Sequence, residues 1–135
     1  MTLLTLTHAQ KLTSAACETA QEMGVPMTVA VVDVGGHLVS LARMDGAAFV
    51  LTEVAIGKAF TAASFGVPTA ELAALFQGRT QFTTSIQVAT QGRFTLSRGG
   101  LPLVVEGHTV GGIAASGGTG DQDLAVVRAA LAACS

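Results

Sequence analysis

The chain has 135 residues, half of them apolar and only 12% charged, with seven Lys and Arg against nine Asp and Glu for a net charge of −2; its mean hydropathy is +0.57. These figures exclude intrinsic disorder, which needs low hydrophobicity and high net charge, and the scattered basic residues exclude electrostatic nucleic-acid binding as the main task. No run approaches the ~18 uninterrupted apolar residues of a membrane span.

A single domain over residues 1–135 is expected from the length. Typical soluble domains carry about 25% charged residues, and a short chain leaves much apolar area exposed even when folded. Copies of the chain covering one another's apolar faces resolve this, so a homo-oligomer is expected, a dimer or dimer of dimers being the common closed forms. The stretch MTLLTLTHAQK has no basic region before its apolar patch, which points to a cytoplasmic protein without a secretory signal. Cys17 and Cys134 lie far apart with no CxxC or Cys/His spacing, and are expected as reduced thiols, each packed on a helix.

Residues 7–23 are expected to form the first helix. Thr7 can cap it, Leu12, Ala16, Thr19, Ala20 and Met23 fall on one face, and Gly24 and Pro26 stop it. Residues 27–34 (MTVAVVDV) are β-branched and apolar at nearly every position, which predicts a strand buried on both faces. Gly35-Gly36 makes a two-residue turn, and 37–44 return as a second strand. Asp45-Gly46 breaks that strand, and 47–65 reads as a helix apolar around its whole circumference, interrupted mainly by Glu53 and Lys58; such a helix is buried on all sides.

Gly66 and Pro68 end that helix, and Thr69 can cap a short one over 70–76. Residues 77–100 are rich in Thr, Gln and Gly, hold Arg79, Arg93 and Arg98, and have no assigned element, so they form a candidate binding loop. Residues 101–106 and 110–116 form a second hairpin around Gly107-His108, and the Gly-rich 117–120 leads into a helix from Asp121. Asp121 and Asp123 favour the N-terminus of this helix, and Leu124, Val127, Leu131 and Cys134 make its inner stripe. The order α-β-β-α-α-(loop)-β-β-α implies an α+β fold, an antiparallel sheet covered by helices.

Three sets of residues are candidates for chemistry. Arg43-Met44-Asp45-Gly46-Ala47, at a strand end running into a helix N-terminus, suits an anionic ligand group, with Arg43 as a bidentate fork and Lys58 as a point charge; the plainer reading is that Asp45 caps the helix and pairs with Arg43. The glycine-rich 111–121 segment lacks a P-loop ending and a parallel βαβ context, so its small residues are expected to let backbone approach backbone or a flat ligand. His8, His37 and His108 form no short-range ligand set, so no metal site is expected from spacing, although a haem iron needs only one axial His. No GxSxG is present, and Ser116 has no evident His/Asp pairing.

The segments VAVVDVGGHLVSLARMDGA, KAFTAASFGVPT and RGGLPLVVEGHTVGGIAASGGTGDQDLAVVRAAL resemble the GlcG/HbpS family, which also occurs as the C-terminal part of PduO-type proteins. The likeness covers nearly the whole chain and runs through Arg43, Met44, Asp45, Gly46, Ala47, Lys58, Gly99, Gly100, Pro102, Gly111, Gly117, Gly118 and Asp123. It implies a profilin-like α/β/α layering on a five-stranded antiparallel sheet, with dimers, tetramers or octamers. Some members bind haem at subunit interfaces, and others sit among genes for glycolate, diol or aromatic catabolism; no family haem ligand maps onto one residue here.

The resulting expectation is an intracellular homo-oligomer binding a flat or anionic small molecule, with haem as the candidate cofactor, in a pocket near a subunit interface. Arg43, Asp45 and Lys58 would anchor the ligand, His8 would be the axial candidate, and Arg79, Arg93 or Arg98 would reinforce them. The alternative is a cofactor-independent isomerase, cyclase or hydrolytic detoxifier, with Asp45, Glu53, Lys58 and His108 as its acid–base groups. A third reading, a pure scaffold, predicts no ligand-dependent stabilisation.

Overall fold

The computed structural model describes residues 3–134. The elements run α1 (Leu6–Met23), β1 (Thr28–Asp33), β2 (Leu38–Arg43), α2 (Val50–Phe65), α3 (Thr69–Leu75), α4 (Thr80–Ala89), β3 (Gly100–Val105), β4 (His108–Ser116) and α5 (Gly120–Ala133). Neighbouring strand residues point to opposite faces, and β1 is apolar at both parities. Val29 and Val31 pack with Leu12, Ala16, Leu124 and Val127 of α1 and α5, whereas Ala30 and Val32 meet Ala55, Ala59 and Ala63 of α2. The sheet is therefore sandwiched, in the order β2-β1-β4-β3 with every pairing antiparallel.

The sheet has four strands among the described residues, not the five that the resemblance implied. Residues between β2 and β3 are spent on helices: besides α2 and α3, the unassigned 77–100 segment contains α4. Helix α4 buries no residue fully; Phe82 and Ile86, one turn apart, lay it against a small aromatic core of Leu72, Phe76 and Phe94.

Local signals shift by a few residues. Thr5, not Thr7, caps α1, accepting from the His8 amide at 3.1 Å. Thr69 does not cap α3 but sits buried inside it, its hydroxyl donating to the Ser97 carbonyl at 2.6 Å and accepting from the Gly100 amide at 3.0 Å. The cap of α5 is Thr119, in a reciprocal box with Gln122, which leaves Asp123 free for another partner. In the second hairpin Glu106 and Gly107 take the positive φ values, 52° and 80°, so His108 opens β4 instead of forming the turn.

The α2 layer lies very close to the sheet because its contact residues are small. At Gly112 of β4 a Cβ atom would collide with the Ala59 carbonyl oxygen and come within 3.1 Å of the Ala63 Cβ. Across the helix, a Cβ at Gly57 would collide with the Thr95 hydroxyl and lie 2.7 Å from the Arg93 carbonyl. Helix α2 is thus gripped between the sheet and the 93–95 segment, and this fixes where Lys58 points.

Candidate functional site

The candidate residues separate into distinct places. Arg43 and Asp45 stand together on a cleft of about 520 Å³ between the end of β2 and the α1–β1 connection, with Cys17, Gln21 and Met44. Met44 pins this turn: its amide donates to the Met27 carbonyl at 3.0 Å, and its sulfur accepts from the Met27 amide at 3.4 Å. Residues 44–49 separate Arg43 from α2, whose N-terminal flank at Phe49 has no side-chain cap. Asp45 therefore does not cap the helix, Arg43 does not stand at its N-terminus, and the two form no ion pair among the described residues. Partial burial pushes the Cys17 thiol pKa up, which favours the protonated form; both cysteines are free.

Lys58 lies elsewhere and is only 3% exposed. A buried ammonium needs partners, and it finds the Asp123 carboxylate at 3.0 Å and the Ala115 carbonyl at 3.0 Å. The other Asp123 oxygen accepts from the Gly118 amide at 2.8 Å, so this pair joins α2, the end of β4 and the first turn of α5. Above it opens a cleft of about 450 Å³ shared with Ser97, Arg98, Ser116 and Gly117. Glu53, the other charge on α2, is exposed.

His8, in the first turn of α1, borders a groove of about 490 Å³ whose walls are Leu4, Leu12, Leu103, Val104, Val110 and Leu131, with Cys134 at one end. His108 lines a different groove of about 530 Å³ with Leu3, Val34 and Val105. His37 pairs with Asp33 at 3.3 Å across the first hairpin turn. There the His37 and Gly35 amides, with the imidazole beside them, hold the Asp33 carboxyl below its usual range. Among the described residues no cluster of His, Cys, Asp and Glu is arranged to hold a metal ion. Asp45, Glu53, Lys58 and His108 do not share one cleft within a single copy of the chain.

The arginines of residues 77–100 are also divided. Arg79 stacks over Phe76 and Phe82 at 5.4 and 4.7 Å, and Arg93 over Phe60 at 4.4 Å. Arg98 alone reaches the Lys58 cleft, with its Nε 3.6 Å from the exposed Asp121 carboxylate. Two contributors to that cleft escape sequence reasoning: Asp123, which reads as a helix-start acid, and Ser116, which lacks a nucleophile's partners. The signal for Asp123 is the lysine in an apolar helix, which demands an acid from elsewhere in the chain.

The family model described as haem degrading protein HbpS-like matches residues 4–132. Protein GlcG of Escherichia coli K12 is 36% identical over 115 residues, 84% of this chain and 81% of that protein. The corrinoid adenosyltransferase PduO of Salmonella typhimurium is 35% identical over 91% of this chain but only 36% of its own length, so the chain corresponds to about a third of PduO. Among solved structures, that of a PduOC:haem complex superposes with a TM-score of 0.86 at 33% identity, covering 98% of this chain and 95% of that one.

Proposed function

This chain belongs to the HbpS-like family, and on that premise we propose that it binds haem in the apolar groove beside His8, close to a contact with another copy of itself. The observation that carries this reading is the composition of the groove: aliphatic walls from α1, β3, β4 and α5 with one imidazole at the edge. A flat apolar macrocycle needs such walls, and its iron needs only one protein ligand, which His8 would supply. The solved haem complex of the similar PduOC supports the same ligand. When bound, haem would supply redox and oxygen chemistry. The protein contributes the walls that exclude water and the imidazole that orients the iron.

Self-association follows from what surrounds the groove. Val104 on its wall is more than half exposed, and among the described residues β3 is an unpaired sheet edge, a ready template for a second chain. Covering that surface with another copy removes apolar area from water and closes the groove. Sedimentation at micromolar concentration is expected to show a dimer or larger species, and Val104→Asp to shift it toward the single chain; a monomeric wild type overturns this part of the reading.

Titration with hemin is expected to give a saturable Soret shift. His8→Ala should weaken binding at least about tenfold, or about 1.4 kcal/mol, and change the spectrum of the bound form. Unchanged affinity and spectrum in His8→Ala would remove the proposed ligand, and no Soret shift in the wild type would remove haem.

A further inference from the structure

The Lys58 cleft shares no lining residue with the His8 groove and is more than a structural ion pair needs. Lysine carries three N–H donors, and two are spent on Ala115 and Asp123. The third direction is kept open by Gly99, whose backbone has φ +126° and where a Cβ would lie 3.2 Å from the Lys58 nitrogen. Ser116 lines the same cleft, is 3% exposed, and its hydroxyl has no hydrogen-bond partner among the described residues. Among the described residues the unpartnered side-chain atom sealed in the core is Thr28 Oγ1; the Ser116 hydroxyl instead opens on the cleft, so its hydrogen-bond partner is a solvent or ligand atom there.

The inventory of free valences selects the ligand. Each Asp123 oxygen already accepts one hydrogen bond, and the other groups at the cleft are mainly donors: the remaining Lys58 N–H, the Ser116 hydroxyl and, at the rim, the Arg98 guanidinium. The Lys58–Asp123 pair is neutral as a unit, and at the rim Arg98 meets the Asp121 carboxylate at 3.6 Å, a side chain 91% exposed whose hold on the guanidinium is weakened by solvent. A single negative charge with two acceptor oxygens matches that set, and a planar guanidinium grips such a group bidentately. A polyphosphate would face the Asp123 and Asp121 carboxylates.

We infer that the cleft above Lys58 is a second ligand site, for the carboxylate of a small organic acid, with Lys58 and Ser116 donating from its floor and Arg98 from its rim. The inference is independent of haem, and its test uses the haem-free protein. Sodium acetate is titrated at constant ionic strength while the amide resonances of Ser116, Gly117 and Gly118 are followed, with acetamide, chloride and inorganic phosphate as comparisons. Saturable shifts with acetate alone are expected. Ser116→Ala should weaken acetate binding roughly tenfold, the usual cost of losing a hydrogen bond to a charged group, with the unliganded melting temperature unchanged because the hydroxyl bonds to nothing in the folded chain. Arg98→Gln should weaken it as well. Equal shifts with chloride or acetamide, tighter binding of phosphate, or wild-type affinity in Ser116→Ala each overturn the proposal.

Discussion

Lys58→Met is expected to remove about 3–5 kcal/mol of folding stability, the range for breaking a buried ion pair by deleting one partner. The loss comes less from the attraction itself than from what remains. Asp123 would keep one hydrogen bond, from the Gly118 amide, and would hold an uncompensated charge in a site where its side chain is 4% exposed. Against a typical total of about 5–15 kcal/mol, that is a fifth or more of the whole. Asp123→Leu should cost a similar amount, stranding Lys58 and untying the 117–119 turn from α5. The double variant Lys58→Met/Asp123→Leu should lose clearly less than the sum of the two, since it buries no lone charge. Urea midpoints at one fixed protein concentration, needed because self-association shifts apparent stability, give the cycle. Additive losses would show that the two side chains are not coupled.

The same pair shows where sequence reading reaches its limit. That Lys58 interrupts an apolar helix is plain from the residues around it, and so is its need for an acid. Which acid is not, because 65 positions separate it from Asp123 and only the antiparallel return of β4 brings them together. Ser116 carries no such signal in the sequence, because a serine nucleophile is recognised by a base beside it. Its interest lies in a missing partner, and an absence of that kind exists only in three dimensions.

Elsewhere the outcome depended on how strongly local patterns compete. The unbroken apolar run of β1 announced a strand covered on both faces, and parity assigns its side chains to the two helical layers. Helix α4 was hidden because TQFTTSIQVA is rich in residues of modest helix propensity. Its order comes from Phe82 and Ile86 meeting Phe76 and Phe94, a tertiary contact. The helix N-terminus expected beside Arg43–Ala47 lies further along for a different reason: the reading required α2 to start at Ala47, but the helix starts at Val50, and Arg43 and Asp45 stand on another cleft.

Gly112→Ala is expected to cost about 3 kcal/mol, the upper end of the overpacking range, although it adds a single methyl group to a strand where alanine is otherwise acceptable. The atom it strikes is the backbone carbonyl of Ala59, which no change of rotamer can move aside. Helix α2 would have to retreat from the sheet, and its retreat is blocked on the far side by the Thr95 hydroxyl and Arg93 carbonyl packed against Gly57. Trimming Ala63 to Gly in the same chain removes only the 3.1 Å contact and should restore little. Because α2 carries Lys58, the displacement should also loosen the Asp123 pair and lower acetate affinity in step with stability, a coupling that a purely local strain would not produce. A urea midpoint for Gly112→Ala within about 1 kcal/mol of wild type, below the overpacking range, would mean that α2 slides freely and that its grip does not position Lys58.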